Sequence, residues 1–532
     1  MPNDCVTYQD SGYFSKLIVD YLDQKAELKS LYNRFPTLEN FQLQLEEKSQ
    51  NFTSENREVL VNALQLQYQN FEISAITATN IEQLKSSNTF TITTGHQLNL
   101  FTGPLYFIYK IVSVINLCKE LKNAYPKYNF VPIYWMATED HDFDEINFFK
   151  YKGKKIQWKK ESHGPVGRLN TSGLEAVFKE IEQDFGIGNN AKELKELFQN
   201  TYLKHSNLAD ATRFLANELF KNEGLVILDG DDANLKKLFI PFAKNELLKQ
   251  TSFELVNKTN AVLTENHYEV QVNPREINLF YIQENLRERI VFENGLYKVN
   301  NSKLSFSESE ILTELEKNPQ NFSPNVILRP LYQEVILPNL CYIGGGGELA
   351  YWLQLKTNFE ANAISFPMLL LRNSVVIYSE KYEQKLNKLG LQWSDLFLKQ
   401  NELLNKKTKE LSAFEIDFSK QKELLKTQFQ ALYKIAENTD KSFIGAVKAQ
   451  ETKQLKGLDN LEKRLLKAEK RKLKEQLEKI ILIQNELFPN NSLQERQMNF
   501  SEIAIEIGID ELLRKIKQET FPFSQVFTFT KQ

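Results

Sequence analysis

The sequence predicts a doubly wound α/β fold that carries inserted subdomains and is followed by a long α-helical coiled coil. Two observations lead to this prediction. Short apolar strands alternate with helical segments through the first part of the chain, and a leucine heptad runs through the later part. Alternating strands and helices build a mostly parallel sheet with helices on both faces. Because such sheets bind ligands at the carboxyl ends of their strands, we expect functional residues there.

The first strands follow a helical N-terminal region. Up to about Glu82, apolar residues recur at helical spacing among Gln, Glu and Lys. A β-branched strand then ends at Gly95 and leads to a helix that Pro104 can open, because proline suits the first helical turn. Two further strand units follow, and the last leads into a helix from Ala233 to Lys249. The three strands are predicted at residues 89–94, 130–136 and 224–229.

The α/β core is predicted to occupy residues 1–378. Apolar segments at 326–330 and 365–372 resume it after two polar insertions, at about 151–215 and 255–320. The insertions do not alternate cleanly between strand and helix, so we expect one or two small subdomains there.

Long helices are predicted from 379 to 488, where the composition shifts to Lys, Glu, Gln and Leu with few glycines. Apolar residues recur every seven positions in this region, which is the spacing of a coiled coil. The heptad positions are Leu466, Leu473, Ile480 and Leu487.

The heptad segment needs a partner helix. One helix over 441–488 would be about 70 Å long, and an antiparallel partner is available at 418–436. Because an exposed leucine stripe of this length favours association, we also expect a homodimer. The last segment, 489–532, is predicted to pack back on the core.

Charge and composition exclude several classes of protein. The 66 basic and 69 acidic residues give a net charge of -3, which does not favour nucleic acid. Three unpaired cysteines argue against a disulfide framework and favour a cytoplasmic location. No secretory signal opens the chain, and no segment approaches the ~20 apolar residues of a membrane helix.

The first candidate site is the turn between residues 93 and 104. Backbone N–H groups at a helix start, with small residues around them, favour a phosphate or carboxylate, and His96 could add a donor. A turn whose glycines only satisfy backbone geometry is an equal alternative, because no GxGxxG or Walker pattern is present. The candidate binding residues here are Gly95, Gln97, Thr102 and Gly103.

The second candidate site is the acidic run 139–145, which places five carboxylates and one histidine after the 130–136 strand. Such a cluster can bind an ammonium group, bind Mg²⁺, or hold His141 as an acid or base with a raised pKa. The alternative is a set of acids that complement a helix N-terminus. The catalytic candidates are Asp140, His141 and Asp142.

The third candidate site combines a polar segment with four consecutive glycines. Glycines between a β-branched segment and an amphipathic helix leave backbone N–H groups open to an anion or a planar ligand. The alternative is that they only allow close packing of sheet and helix. The candidates are Arg329, Gln333, Gly344, Gly345, Gly346, Gly347 and Arg372.

Together the three segments resemble the bacillithiol biosynthesis cysteine-adding enzyme family. That family carries a TGQQ-type turn before TGPLY, here TGHQLNLFTGPLYFIYK; a WMATEDHDFEEIN-type segment, here WMATEDHDFDEIN; and a YxGGxGExAYWxQL segment, here YIGGGGELAYWLQL. The match covers about 89–378. The sequence departs from the family pattern at His96, where Gln is usual, at Glu334, where Asp is usual, and at Gly346, where proline is common.

The resemblance implies a Rossmann-like core, a dimerising coiled coil and a cysteine ligase (EC 6 class). This enzyme would add cysteine to glucosaminyl-malate by an amide bond, with ATP as the energy source and Mg²⁺ as a compatible ion. The family roles would place the 95–103 turn and Lys110 against phosphate or malate carboxylates. His96 belongs to that turn, whereas the 140–142 cluster would hold the ammonium group or move the proton off the attacking amine. Arg329, Gln333 and the glycine loop 344–347 would line the far side.

Two other functions remain compatible with the residues. A metal-dependent hydrolase would use the 139–145 cluster as ligands. A coiled-coil scaffold with an inactive α/β domain would need none of the three sites. The sequence contains no KMSKS-type lysine loop, and TGHQ stands where adenylate-forming cores have HxGH, so the activated species is not assigned.

Overall fold

A computed structural model describes residues 5–532, apart from the side chain of Lys441. The chain divides into two compact units. The first comprises Met1–Ile377 and Gln494–Gln532, and the second comprises Tyr378–Leu493. Among the described residues, no helix is long and apolar enough to cross a membrane.

The first unit is built on a five-stranded sheet in which every strand runs parallel to its neighbours. We number its strands in chain order, and their order in space is β5-β4-β1-β2-β3. This is the strand order of the Rossmann fold, and it confirms the predicted fold class. The strands are β1 Thr89–His96, β2 Asn129–Met136, β3 Val226–Asp229, β4 Asn339–Gly344 and β5 Met368–Leu371.

The strand order reverses between β1 and β4. From β1 the chain builds the sheet outward through β2 and β3, then returns to place β4 on the other side of β1. The register pairs His96 with Met136 and Gly344 with Leu371, so neighbouring strands end at the same edge. Ligands of doubly wound sheets bind at such a switch point.

Helices cover the sheet because their apolar faces pack against its buried β-branched and aromatic side chains. Val114 and Leu117 of the helix after β1 meet Phe90 and Ile92, and Phe41 comes from an N-terminal helix. The helices of this region are Lys16–Leu22, Leu38–Asn51, Ser54–Tyr68, Ala75–Gln83, Tyr106–Ala124, Ala233–Lys249, Arg329–Ile336, Gly346–Trp352 and Lys356–Ala361.

The first insertion follows β2. It contains the short helix Phe143–Ile146, an antiparallel hairpin and three helices. The hairpin strands are Phe148–Tyr151 and Lys154–Gln157, and the helices are Leu174–Asp184, Asn189–Tyr202 and Leu208–Phe220.

The second insertion contains a five-stranded antiparallel sheet that the sequence pattern did not predict. Buried Glu246 attaches this sheet to the core, because its carboxylate accepts hydrogen bonds from Ser252 Oγ at 2.6 Å and from Asn278 N at 2.9 Å. The strands are Leu279–Gln283, Leu286–Glu293, Leu296–Val299, Ser305–Phe306 and Phe322–Pro324, with helices Thr251–Glu265 and Glu308–Lys317 beside them.

The apolar segment 326–330, where the core was expected to resume, lies outside the sheet, and its Ile327 and Leu328 side chains are buried. The Asn325 side chain accepts a hydrogen bond from Ile327 N at 2.9 Å, and the Asn325 carbonyl accepts one from Arg329 N at 2.8 Å. These bonds form a turn that starts the helix Arg329–Ile336. The sheet therefore resumes only at β4.

The C-terminal residues of the first unit complete a small sheet. Strand Val526–Lys531 lies between Cys5–Thr7 and Ser374–Tyr378. Asn499 donates hydrogen bonds of 2.7 Å and 2.6 Å to the carbonyls of Phe101 and Gly103, which fixes the loop after β1. The helices of this segment are Gln494–Gln497, Ser501–Ile507 and Ile509–Glu519.

The second unit contains the helical hairpin expected at the coiled coil. Helix Ser419–Ala436 packs antiparallel against the next helix, and Phe429, Ala436 and Val447 form the buried centre of this contact. Asp440 caps the second helix by accepting a hydrogen bond from Ser442 N. The helices are Glu380–Lys388, Gln400–Leu411, Ser419–Ala436, Lys441–Lys472 and Lys474–Leu487.

The expectation of one helix over 441–488 is corrected, because the helix breaks at Leu473, where φ is -91° and ψ is 13°. Beyond the break, one face of the helix is buried through Leu477, Ile480, Ile483 and Leu487. On this face Gln484 donates to the carbonyls of Leu396 and Leu398 at 3.1 Å and 2.8 Å. The break therefore directs the last helix onto the segment around Leu396.

One buried ion pair links the N-terminal helices to the core, and we expect its loss to destabilise the first unit. Lys48 Nζ lies 2.9 Å from a Glu334 carboxylate oxygen, and both side chains are almost fully buried. Lys48→Met leaves the Glu334 charge without its cation and should lower the free energy of unfolding by about 3 kcal/mol.

Urea denaturation would measure this change. The matched control is Lys85→Met, which removes one partner of the exposed Lys85–Glu82 pair and should cost under about 1 kcal/mol. Equal effects of the two substitutions would contradict the assignment of Lys48 as a structural cation.

Candidate active site

A cavity of about 980 Å³ opens at the carboxyl ends of β1, β2 and β4. We call it the main cavity. Its volume lies at the upper end of ordinary small-molecule sites, which leaves room for more than one ligand. The predicted site residues that line it are Gly95, His96, Gln97, Lys110, Asp140, Arg329, Gly345, Gly347 and Arg372.

A buried lysine spans the switch point of the sheet. Lys110 lies on the helix after β1, and its Nζ donates to the Gly95 carbonyl at 2.6 Å. The same Nζ lies 2.6 Å from a carboxylate oxygen of Glu348, on the helix after β4. Burial lowers the pKa of Lys110 more than the Glu348 charge raises it, and Arg372 and Arg329 lower it further.

Glu348 is held by three donors. Besides Lys110, the Gly345 N–H donates to its carboxylate at 2.9 Å and the Tyr342 hydroxyl donates at 2.7 Å. Burial alone would raise the pKa of Glu348, but Lys110 and these hydrogen bonds outweigh burial and hold the pKa below its usual value. Glu348 is therefore ionised, and the ion pair ties together the loops that follow β1 and β4.

His96 ends β1 and lies beside this ion pair. Its ring is buried against Tyr106 and Phe107, at centroid distances of 5.4 Å and 5.1 Å. Burial lowers the pKa of His96 well below 6.5, and the charges of Lys110 and Arg372 act in the same direction. Within the described residues its Nε2 has no hydrogen-bond partner. His96 is thus a neutral imidazole at the cavity wall.

Gln97 connects the loop after β1 to the acidic run after β2. Its Nε2 donates to carboxylate oxygens of Asp140 and Glu145, each at 2.9 Å. Burial would raise the pKa of Asp140, but hydrogen bonds from His141 and Gln97 and the charge of Arg287 hold it far below its usual value. Asp140 is therefore an ionised carboxylate at the cavity wall.

The other two members of the predicted cluster lie outside the cavity wall. His141 is about half exposed, and its Nδ1 lies 2.7 Å from Arg287 Nη1. Asp142 caps the helix Phe143–Ile146 by accepting from Glu145 N at 3.3 Å. Asp142 at the cap and Asp144 and Glu145 in the first turn take the helix N-terminal positions that the alternative interpretation of this run describes.

Arg329 is fixed among aromatic rings. Its guanidinium carbon lies 5.8 Å, 5.7 Å and 5.9 Å from the ring centroids of Trp135, Tyr342 and Trp352. It donates to the Tyr351 hydroxyl at 3.1 Å and to the Gln333 side chain at 3.0 Å. Gln333 is fully buried and is absent from the cavity wall, so it supports Arg329 from behind.

The four glycines take different positions. Gly345 and Gly347 line the main cavity, whereas a Cβ at Gly346 would lie 3.1 Å from the ring of Phe14, and one at Gly344 would lie 3.0 Å from the Tyr342 ring. Gly344 and Gly346 thus allow close packing. The Gly345 N–H is already bonded to Glu348, so the loop amides are not all open to a ligand.

Two residues of the predicted first turn also lie away from the main cavity. Thr102 is buried, with φ at 67°, and Gly103 lines a neighbouring cavity. Arg372, by contrast, lies in the wall. Its Nη2 pairs with a Glu495 oxygen at 2.5 Å, and its Nε has no hydrogen-bond partner among the described residues.

The sequence did not identify several arginines that line the main cavity. Arg287 and Arg289 lie two apart on one strand of the antiparallel sheet, so both point to the same face. The Arg287 guanidinium lies 3.9 Å from the Phe280 ring centroid, and its Nε is buried without a partner among the described residues. The period-two spacing in LRERIVFE was the available signal. Arg275 and Arg496 complete the set.

The main cavity has an excess of positive charge. Seven cationic side chains and four carboxylates line it. Within residues 5–532, the guanidinium groups of Arg275, Arg287, Arg289 and Arg496 have no carboxylate oxygen within 4.0 Å. Unpaired cations in a concave site attract anions. In the same described range, no group of three or more His, Cys, Asp or Glu side chains is arranged to hold a metal ion.

The fold and the cavity define a Rossmann-like protein with an anion-attracting site at its switch point. Comparison with known protein families identifies the family to which the chain belongs. Residues 1–373 match the model described as bacillithiol biosynthesis BshC, N-terminal Rossmann-like domain, and 375–532 match its C-terminal coiled-coil domain. The chain belongs to the bacillithiol biosynthesis BshC family.

Curated relatives agree with this family over their full length. A protein of Flavobacterium johnsoniae named "Putative cysteine ligase BshC" is 65% identical over 520 residues, covering 97% of this chain and 98% of that protein. One of the same name from Flavobacterium psychrophilum is 63% identical and covers 100% of both chains. One from Bacillus cereus is 29% identical over 529 residues, 96% of each chain.

The buried neutral state of His96 predicts a pH-dependent stability. As the pH falls through about 6.5, the unfolded chain binds a proton at this histidine and the folded protein does not, so acid favours unfolding. His96→Gln removes the proton uptake. Below pH 6.5 the wild-type free energy of unfolding should therefore fall by up to about 1.4 kcal/mol per pH unit more than that of the variant.

Urea denaturation of both proteins between pH 5.5 and 7.5 would measure the difference. All other titrating groups are common to the two proteins, so the comparison isolates His96. Parallel stability profiles would show that His96 is protonated equally in the folded and unfolded chains.

Proposed function

We propose that the chain is a ligase that joins L-cysteine to glucosaminyl-malate through an amide bond, the last step of bacillithiol synthesis. Two of the most similar relatives carry the name of a cysteine ligase over their whole length. The observation in the fold that best supports this substrate is the excess of cations in the main cavity. The malate part of the acceptor is a dicarboxylate, and arginine binds carboxylates through two parallel N–H donors.

The reaction requires an activated carboxyl group. Amide formation from a carboxylate and an ammonium group is uphill in water, so the cysteine carboxylate must first gain a better leaving group. We propose that ATP is the co-substrate that supplies it. The Nε groups of Arg287 and Arg372, buried without partners among the described residues, are donors suited to phosphate oxygens. Asp140 is the carboxylate that would hold an accompanying Mg²⁺.

The residues at the switch point suit the amide-forming step. The glucosamine nitrogen must lose a proton as it attacks the activated carbonyl, and negative charge develops on the carbonyl oxygen. Neutral His96 can accept a hydrogen bond from this nitrogen and so orient it, because burial and the charge of Lys110 keep the ring unprotonated and its Nε2 is unpartnered among the described residues. Lys110 and Arg329 are cations in a buried setting that can stabilise the developing charge.

The activity is tested directly with purified full-length protein. Cysteine, glucosaminyl-malate and ATP should give bacillithiol, detected by thiol labelling and mass spectrometry. Release of AMP would show that the activated carboxyl carries the nucleotide, and release of ADP that it carries phosphate. No product with ATP in this assay, together with restored bacillithiol in a strain lacking this enzyme, would mean that cysteine arrives already activated on a carrier. A folded protein that makes no product, and does not restore bacillithiol in a strain lacking this enzyme, would contradict the substrate assignment.

The arginines that line the main cavity predict a selective effect on the KM for glucosaminyl-malate. Arg289→Gln should raise the KM for glucosaminyl-malate by about 10- to 100-fold, because a hydrogen bond to a charged group contributes about 1.5–3 kcal/mol. The KM for cysteine should change less than threefold. The control is Lys298→Gln, on the neighbouring strand and outside the cavity wall. An equal rise in both KM values would contradict this role for Arg289.

We also propose that the second unit forms a homodimer. Its helices expose large apolar side chains, with Leu424 at 66% and Leu461 at 52% of full exposure. Exposed large apolar side chains of this kind favour association. The full chain should be a dimer in multi-angle light scattering, and Leu424→Glu with Leu461→Glu should make it a monomer. Leu66→Glu is the control, since Leu66 is 54% exposed in the first unit. A wild-type monomer at micromolar concentration would contradict the proposal.

A further inference from the structure

A second cavity, of about 450 Å³, adjoins the main cavity. We call it the side cavity. It lies between the loop after β1, the short helix Phe143–Ile146 and the segment around Met498. Four residues line both cavities, so the two spaces meet along a common border. These residues are Gln97, Tyr106, Glu145 and Arg496.

The side cavity differs from the main cavity in charge. Two carboxylates, Asp144 and Glu145, and two cations, Lys150 and Arg496, line it. Lys150 is hydrogen-bonded to the Gln497 side chain, whereas Arg496 has no carboxylate within 4.0 Å in residues 5–532. A balanced pair of acids and bases suits a zwitterion, while the main cavity, with its excess of cations, suits an anion.

A buried amide in the wall also lacks a partner. Asn99 is only 9% exposed and lines the side cavity. Its Nδ2 donates to the Glu145 carbonyl at 3.2 Å, but its Oδ1 has no hydrogen-bond partner among the described residues. Buried acceptors are normally satisfied, so this oxygen indicates a donor that is supplied by a ligand.

Part of the wall is apolar and suits a sulfur atom. Phe148, Phe149 and Met498 line the side cavity together with the charged groups. Thiols and thioethers make favourable contacts with aromatic rings, and a thiol loses less hydration than a hydroxyl when it enters such a wall.

We propose that the side cavity is the binding site for L-cysteine, an assignment that rests on the proposed ligase function. The α-ammonium group lies between Glu145 and Asn99, the carboxylate pairs with Arg496 at the border, and the thiol contacts Phe148 and Met498. The carboxylate then faces the main cavity, where it must meet the amine of the acceptor.

This orientation also protects the cysteine amine. An amine that is held as ammonium by a carboxylate carries no free electron pair, so it cannot attack the activated carboxyl of another cysteine. The acceptor amine reaches the same carboxyl from the main cavity, whose wall includes the neutral His96 ring. The two cavities thereby distinguish the two amines of the reaction.

The test uses full-length wild type and the variants Glu145→Gln and Arg496→Gln. Both side chains are exposed, so folding should be retained and is checked by circular dichroism. Titration calorimetry measures the binding of L-cysteine, and steady-state kinetics give the KM of each substrate. Glu182→Gln is the matched control for lost charge, since Glu182 is exposed and lines neither cavity.

Each variant should weaken cysteine binding and raise the KM for cysteine at least tenfold, with the KM for glucosaminyl-malate changed less than threefold. 3-Mercaptopropionate, which lacks the ammonium group, should bind wild type and Glu145→Gln equally weakly. Cysteine affinity that is unchanged in both variants, or that falls only in Arg289→Gln, would overturn the assignment.

The binding measurement separates this inference from the proposed function. If the wild type makes no bacillithiol but binds cysteine, and both variants bind cysteine more weakly, the side cavity is a cysteine site and the ligase assignment is wrong. If wild type makes bacillithiol and both variants keep wild-type affinity and KM for cysteine, the ligase assignment stands and the side cavity is not the cysteine site.

Discussion

The ion pair between Lys110 and Glu348 is the contact on which the rest of the site depends. It joins the helix after β1 to the helix after β4 across the point where the strand order reverses. A buried charge is costly unless it is paired and hydrogen-bonded, and here the Gly95 carbonyl, the Gly345 amide and the Tyr342 hydroxyl complete the set. Both loops are therefore fixed before any ligand arrives, which is the preorganisation that catalysis requires.

The charges around this pair divide the site into two chemical environments. On the side of the antiparallel sheet, Arg287 and Arg289 present donors without carboxylate partners in the described residues. On the side of the short helix Phe143–Ile146, acids and bases balance, and Asn99 keeps a free acceptor. Under the proposed function, this division would hold an anionic acceptor and a zwitterionic donor apart until their reacting groups meet at the common border.

Local sequence patterns predicted the sheet edge that carries the site, because β-branched strands, glycines and helix starts are properties of short segments. Lys110 and Arg329 could be placed near that edge for the same reason, because each lies on a short segment whose pattern is local. The arginines of the second insertion could not be placed, because Arg287 reaches His141 only through long-range folding. The apolar pattern at 326–330 indicated the core but not the local structure, because the Asn325 side chain accepts a hydrogen bond from Ile327 N and starts a helical turn there. Likewise, the Gly345 N–H donates to the Glu348 carboxylate, whereas the glycine spacing alone suggested that this N–H was open to a ligand.

The central claim is that the Lys110–Glu348 pair organises the place where the amide bond forms. The most direct test is the kcat/KM for bacillithiol formation by the double variant Lys110→Met with Glu348→Gln. This change removes both buried charges together, so neither is left unpaired and the fold should survive. We expect a folded protein whose kcat/KM is at least 1,000-fold below that of the wild type, about 4 kcal/mol of lost transition-state stabilisation. A folded double variant with kcat/KM within tenfold of the wild type would contradict the central claim.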